Sequence, residues 1–492
     1  MRLASVERKI FLVVVFVELV FSLLMIAWRG TVFYCGDATY HEYIPLLMLE
    51  NKDLRVLGVV WLPLLHLLVA PFLLVNWFYK TGFAGSIVNS LATGVTAVFF
   101  YKLIGRGKTA LIAVLLLLTN LFTLVYGSTP MMEQLAVMFI VMAAYYLKQY
   151  LSYWRLKDFF KLSIALSLGC LSRYEVWVVT GVAIAYVFLT SLKFKKYSRA
   201  LITPLLGLGI LAWMAWNYYL TRDFLGFLHA SMGAGFYASV YLKNTSLAYR
   251  LRVILTAIII VSGFYLFWTV KHVLFCVKKR RVVEVLIISL LLTPLIFHTL
   301  LVIVKFSFGW LRYFYLAVPG MIYSSYNYHL ERKNKKRRVE KVVKTLTPFI
   351  IVTLAIQVLV MVQGNVYGFM PRVMWQHRGE LSIIKQAIKN ETVLIGTDAA
   401  GWFSAMTGTK PSQIIDGFDY EFERAMLEPW KHVKFVVIKK MKQDPMLEGL
   451  NKLYNGNFYI YNYYYNNTWR SEFLTHYKPV VKTQHYELYK KV

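Results

Sequence analysis

The chain has 492 residues, of which 58% are hydrophobic and only 16% charged, with a formal net charge of +30. At ~150 residues per domain that is room for about three soluble domains, but a soluble fold has no interior for so much apolar side chain, so the composition excludes that class and points to a polytopic membrane protein. In such a chain the excess of Lys and Arg belongs first to cytoplasmic loops and not to nucleic acid, and three cysteines (Cys35, Cys170, Cys276) without a C-x-x-C spacing exclude a disulfide framework or a zinc module.

Runs of about 20 apolar residues mark candidate spans. They fall at 10–28, 84–101, 109–127, 131–147, 159–172, 176–192, 200–220, 252–275, 284–304, 311–329 and 346–363. The first carries Glu18 and is followed by no small-x-small cleavage site, which predicts an uncleaved anchor. The run 57–78 is equally apolar but holds Pro63, His66, Pro71, Trp61 and Trp77, residues suited to a broken or interfacial helix. Charge separates the two readings. With the N-terminus (Arg2, Arg8, Lys9) inside and 57–78 not crossing, the basic stretches Lys102–Lys108, Lys148–Lys161, Lys193–Arg199, Lys278–Arg281 and Glu331–Lys344 all lie inside. If 57–78 crosses, all of them move outside, against the positive-inside rule. The expectation is therefore about 11 crossings, a cytoplasmic N-terminus and an external C-terminus. N-x-[ST] sequons at Asn244, Asn390 and Asn466 all fall in segments this topology places outside.

Three outer features follow: the loop 29–83 with its juxtamembrane helices, the loop 221–251, and a tail 364–492. The expected organisation is a transmembrane domain over 1–363 and a small α/β domain over 364–492. In the tail, Val393–Ile395 and Phe435–Ile438 read as buried strands, and Leu381–Lys389 and Tyr420–Leu427 as short helices. Gly396-Thr-Asp-Ala-Ala-Gly401 reads as a strand-to-helix turn without the spacing of a dinucleotide fingerprint. The Tyr/Asn-rich stretch 454–469 reads as an aromatic strand pair rather than as a platform for sugars, although aromatic rings do stack on sugars.

Ionisable residues concentrate on the outer side. Asp37, His41 and Glu42 stand within six residues after the first span, and Asp37 and His41, four apart, share a helix face. Asp37 suits a general base toward an acceptor hydroxyl, or alternatively a helix N-cap. Glu133 opens a helix after Gly127-Ser-Thr-Pro130; Arg173 and Glu175 separate two apolar runs; Lys305, Arg312 and Tyr313 follow the ninth run. Charges at membrane depth are costly and mark function by default, although Arg173 paired with Glu133 or Glu175 would equally staple helices. Glu18 and His298, each alone in an apolar run, read as satisfied structural groups. Taken together, a carboxylate base beside Arg side chains, which grip phosphate in a bidentate fork, suits a substrate with a phosphate head and a lipid tail.

The ordered set of motifs resembles the GT-C superfamily of integral-membrane glycosyltransferases, within it the dolichyl-phosphate-mannose protein mannosyltransferase and aminoarabinose transferase group. The resemblance covers residues 1–330. It is carried by Gly36-Asp-Ala-Thr-Tyr40, by Val60-Trp-Leu-Pro-Leu-Leu-His-Leu-Leu68 with Ala70-Pro-Phe72, by Gly127-Ser-Thr-Pro-Met-Met-Glu133, by Leu171-Ser-Arg-Tyr-Glu-Val-Trp177, and by Trp310-Leu-Arg-Tyr313. It implies an α-helical GT-C-type membrane fold and an inverting transfer of a sugar from a polyprenyl (dolichyl) phosphate to a protein or lipid-linked glycan. In that reading Asp37 is the base, Arg312 with Arg173 holds the leaving phosphate, and His41, Glu42, Glu133, Glu175, Lys305 and Tyr313 bind substrate. The chain departs from the pattern where His41-Glu42 stands in place of an Asp-Glu pair and where Val176 replaces a common glycine. No Trp-Trp-Asp motif is present, which argues against transfer of a whole glycan to asparagine. No Asp-x-Asp is present either, so a divalent ion (Mg or Mn) shared by Asp37 and Glu133 is an option and not a requirement. The alternative class is a transporter or flippase, which would place its polar site at the midplane between repeats; here the charges lie at the outer boundary and no repeat is visible.

Overall fold

The computed structural model describes residues 5–229, 238–239, 242–331, 338–363, 372–417, 421–439 and 470–492. The stretch 454–469 and the sequon at Asn466 lie outside the described residues.

The first apolar run folds as α1 (Ser5–Arg29), 25 residues, about 37 Å at 1.5 Å per residue. Its buried residues Ile10, Val14, Glu18 and Ser22 recur every fourth position and form one stripe. The opposite face, with Leu12, Val13 and Phe16, is exposed, as lipid contact requires. The stripe packs on helix Phe83–Ile104 at Gly94, which leaves room for Phe11 and Val15. At one end, buried Glu7 pairs with Lys102 at 3.1 Å and Arg106 at 3.0 Å.

Among the described residues six helices are long and apolar enough to cross a bilayer: α1, Phe83–Ile104, Met132–Tyr153, Glu175–Lys193, Tyr197–Thr221 and Val282–Ile303. Ala110–Leu118 with Leu121–Ser128, bent by 69°, and Leu247–Ser262 with Tyr265–Lys278, bent by 94°, raise the number to eight if each pair is one span. All the runs expected to cross are helical over most of their length, but not all are single straight spans. Leu156–Cys170 has only 15 residues, and 311–329 divides into Leu311–Tyr315 and Val318–Glu331. Segment 57–78 folds as the short pieces Leu64–Val69, Ala70–Leu74 and Asn76–Thr81, none near the ~20 residues a crossing needs.

The two bends meet. Breaking a helix inside apolar surroundings frees backbone groups that must find partners. Asn120 Nδ2 donates to the carbonyl of Val261 at 2.8 Å, and Gln357 Nε2 donates to the carbonyls of Ile260 and Val261 at 3.1 and 3.0 Å. Gln357 Oε1 accepts from Leu121 N at 2.9 Å. Gly263 turns the second bend at φ 56°, and a Cβ there would sit 1.9 Å from Thr353 Oγ1.

A second glycine sets a helix crossing. A Cβ on Gly209 would lie 2.1 Å from the carbonyl oxygen of Ser167, backbone that cannot swing away. Gly209→Ala is expected to lower stability by about 1–3 kcal/mol, read as a fall in Tm of the detergent-solubilised chain. Gly181→Ala, where nothing lies within 4 Å, is the control and should show no fall.

The C-terminal domain carries a five-stranded sheet of order β2-β1-β3-β5-β4, with β1 Val393–Ile395, β2 Ile414–Ile415, β3 Phe435–Lys439, β4 Tyr477–Lys482 and β5 Tyr486–Lys491. β2, β1 and β3 are parallel, while β5 runs antiparallel to β3 and pairs with β4 as a hairpin. Alternate residues face opposite sides. Val393 and Ile395 pack with Leu381, Ile384 and Phe403; Leu394, Val436 and Ile438 pack with Phe422, Met426 and Tyr477. The first of these cores continues into α2 (Gly36–Asn51) through Tyr43, Ile44 and Leu47. Gly401 N donates to Tyr40 Oη at 3.2 Å, Ser412 N to Glu50 at 2.8 Å and Tyr79 Oη to Ser404 Oγ at 2.5 Å. The domain is thus seated on the loop that carries Asp37.

Candidate active site

Five chain segments converge on one cavity of about 130 Å³, whose lining includes Asp37, His41, Trp61, Met132, Arg173 and Arg312. Asp37 sits in the first turn of α2, where a carboxylate is favoured by the helix dipole. The N-cap is Cys35, without a side-chain cap bond, so the capping role expected for Asp37 is not the one it takes. Its Oδ2 instead accepts from Arg312 Nη1 at 2.5 Å.

Arg312 lies on the short helix Leu311–Tyr315, with its guanidinium 4.4 Å above the Trp310 ring and 5.3 Å from that of Tyr313. Glu133 opens Met132–Tyr153. The preceding turn is pinned by helix Phe83–Ile104: Asn89 Nδ2 donates to the carbonyls of Thr129 and Met131 at 2.6 and 2.7 Å, and Ser86 Oγ to that of Ser128 at 2.5 Å. Arg173 sits in the turn before Glu175–Lys193, held by Leu64 N on Leu171 O at 3.0 Å and by Tyr174 Oη on Val60 O at 2.9 Å.

The charges form a chain. Arg173 Nη1 donates to Glu133 Oε1 at 2.7 Å, and its Nη2 and Nε to the two oxygens of Glu175 at 2.7 and 3.0 Å. Arg312 Nε stands 3.8 Å from Glu133 Oε1, too far for a hydrogen bond. His298, read from the sequence as structural, joins the cluster: its Nε2 is 3.0 Å from Glu175 Oε1, and its ring stacks on Tyr313 at 4.4 Å. Arg173 thus ties its own turn to the helix that carries Glu133, and it also lines the cavity. Asp37 is the accessible member, its side chain 40% exposed against 15% for Arg312 and 0% for Glu133.

Two expected site residues stand apart. Glu42, one position beyond His41, is buried on the other side of α2, where its Oε1 accepts from Gly85 N at 2.7 Å at the start of Phe83–Ile104. Burial pushes its carboxyl well above the usual range, against the pull of that backbone bond. Lys305 ends helix Val282–Ile303 at φ 68° and donates to the carbonyl of Lys243 at 2.7 Å. Neither is among the residues lining the cavity. Glu18, expected to be satisfied, is fully buried with neither carboxylate oxygen partnered among the described residues; it lies where a Cβ on Gly127 would touch it.

The model of the family described as dolichyl-phosphate-mannose-protein mannosyltransferase matches residues 63–219, a segment that holds Glu133, Arg173 and Glu175 but neither Asp37 nor Arg312. No curated relative matches the sequence. The structure is similar to that of ArnT from Cupriavidus metallidurans bound to undecaprenyl phosphate, at 12% identity and a TM-score of 0.59, over 100% of this chain and 99% of that one. It is also similar to the apo oligosaccharyltransferase of Archaeoglobus fulgidus, at 12% identity and a TM-score of 0.52, over 88% of this chain and 69% of that one. The chain has the fold of the GT-C membrane glycosyltransferases. Within this GT-C fold the cavity opens between the transmembrane helices and the loop that seats the C-terminal sheet. Among the described residues no three His, Cys, Asp or Glu side chains converge to hold a metal ion. Asp37 Oδ2 and Glu133 Oε1 each pair with a guanidinium, those of Arg312 and Arg173, which already balance the two carboxylates, so the donor set does not fit a shared Mg or Mn, and no step is derived through one.

Proposed function

We propose that the protein transfers a sugar from a polyprenyl phosphate to a hydroxyl acceptor, on protein or on a lipid-linked glycan, with inversion at the anomeric carbon. The reaction takes place at the outer membrane face, with the N-terminus inside and the C-terminal domain outside. Asp37 takes the proton of the acceptor hydroxyl as its oxygen bonds to the anomeric carbon. The bond from that carbon to the phosphate oxygen breaks, and the phosphate keeps the electron pair. The leaving group gains a full negative charge and already carries one, so it needs cations more than a general acid. Arg312 supplies the first, with Arg173 behind it. Tyr313 fixes both guanidiniums by its ring face, and Glu133 and Glu175 hold Arg173 in place.

The observation that carries this reading is the Asp37–Arg312 pair in the lining of the cavity, 2.5 Å between side chains 275 residues apart: a base and a phosphate-binding cation in one place. The GT-C fold and the undecaprenyl phosphate in the ArnT structure add to it.

The test uses the purified full chain in nanodiscs with polyprenyl-phosphate hexoses and pentoses, and a membrane extract as acceptor. The expected result is release of free polyprenyl phosphate with one of the sugars. Recovery of every donor intact, together with solute flux into proteoliposomes, would establish the transporter class instead.

A further inference from the structure

Two buried histidines meet beside the cavity. His41 lies one turn after Asp37 on α2, and its Nδ1 is 3.1 Å from Nε2 of His66 on Leu64–Val69. They are 3% and 0% exposed, and the ring centroids of His41 and Trp61 lie 5.2 Å apart in an edge-on arrangement. His66 Nδ1 is buried with no hydrogen-bond partner among the described residues. His41 lines the cavity, and with Nδ1 turned to His66 its Nε2 is the nitrogen left to face that space.

A contact between two imidazole nitrogens needs one proton between them, and there are two ways to supply it. If His41 Nδ1 donates, His66 must carry its only proton on Nε2 or Nδ1; Nε2 is accepting, so the proton sits on Nδ1 as a buried N–H with nothing to bind. If His66 Nε2 donates, its Nδ1 is a bare lone pair, and His41 carries its proton on Nε2. Orphaned buried N–H groups are rarer than under-used acceptors, which selects the second arrangement. Burial first, then the Arg312 and Arg173 cations, pull His41 down to about 3, and burial pulls His66 down as well, so both rings are neutral at pH 7.

We propose that His66 is a positioning residue that, by donating to His41 Nδ1, holds His41 in the tautomer with its proton on Nε2, so that His41 presents a neutral N–H donor to a hydroxyl of the lipid-linked sugar. The assignment of the partner as a sugar hydroxyl rests on the transferase reading above; the tautomer does not. The sugar is favoured over the phosphate because His41 brings no charge and stands beside an indole, a surface suited to the C–H face of a sugar, whereas the cations are on the Arg312 side.

Nitrogen-15 spectra of the full chain labelled at histidine, in nanodiscs at pH 7, test this directly. The expected result is a proton on Nε2 of both His41 and His66 and bare Nδ1 on both. A proton on His41 Nδ1, or an imidazolium, would overturn the assignment whatever the enzyme turns out to do. His66→Leu should spread the His41 proton over both nitrogens, and His66→Gln, which keeps an amide donor, should restore the single tautomer; a purely packing role would give the reverse or no difference. Finally, dolichyl-phosphate mannose should shift the His41 Nε2–H signal and dolichyl phosphate should not. An equal shift with both lipids, or none with either, would refute the sugar contact while leaving the release assay above to judge the transferase reading on its own.

Discussion

Asp37→Asn is expected to lower the rate constant for sugar transfer by roughly 10²–10⁴-fold, the usual contribution of a positioned general base. Asparagine keeps the shape and an acceptor oxygen toward Arg312 but cannot take a proton. The same change removes the negative charge that occupies Arg312 at 2.5 Å, so the variant should bind polyprenyl phosphate as well as the parent or better. Single-turnover transfer and equilibrium binding of the lipid phosphate separate the two effects. A variant that transfers at the parental rate would remove Asp37 from the chemistry.

The second large effect belongs to Arg312. Arg312→Ala should cost about 10²–10³-fold in kcat, as for the loss of one donor to a developing anion, and should weaken donor binding, visible as a raised KM. Arg312→Lys should recover only part, because an ammonium cannot both stack on Trp310 and span toward Asp37 and a phosphate. In the proposed reaction Arg312, and not Arg173, is assigned as the primary phosphate ligand for a geometric reason. Arg173 makes three hydrogen bonds to two carboxylates and is 14% exposed at its side chain; withdrawing it would strand Glu133 and Glu175, and breaking such a buried pair costs about 3–5 kcal/mol. Among the described residues Arg312 makes one such bond and its Nε has no hydrogen-bond partner. Parental KM for the donor in Arg312→Ala would contradict this division of labour.

Much of the membrane domain is legible in the sequence because lipid demands long apolar helices, and the runs that supply them are plain. Strand β1 is legible too, since Val393–Ile395 is a short buried apolar run stopped by Gly396. The hairpin of β4 and β5 is not: its first strand is mostly exposed and interrupted by Pro479, and its register is set by pairing to β3 through β5. The bends at Asn120 and Gly263 are hidden for another reason. Both interrupt continuous apolar runs, and what pays for the freed backbone groups is Gln357, far along the chain.

The site shows the same division. Asp37, Glu133, Arg173, Glu175 and Arg312 are conspicuous as charges between apolar runs, but nothing local tells which pairs form. Lys305 is just as conspicuous, and its left-handed backbone at the helix end sends it to Lys243. His298 and His66 look like solitary histidines because their partners, Glu175 and His41, lie 123 and 25 positions away. A sequence pattern names ionisable residues at a boundary; only the crossing of helices decides which of them share a cavity.

The most direct measurement is the structure of the full chain with polyprenyl phosphate bound. The expected result is a phosphate oxygen at about 3 Å from a guanidinium nitrogen of Arg312, facing the cavity lined by Asp37 and His41, with the Asp37–Arg312 contact opened or shared. A headgroup bound elsewhere, with that contact intact, would contradict the assignment of this cavity as the site of transfer.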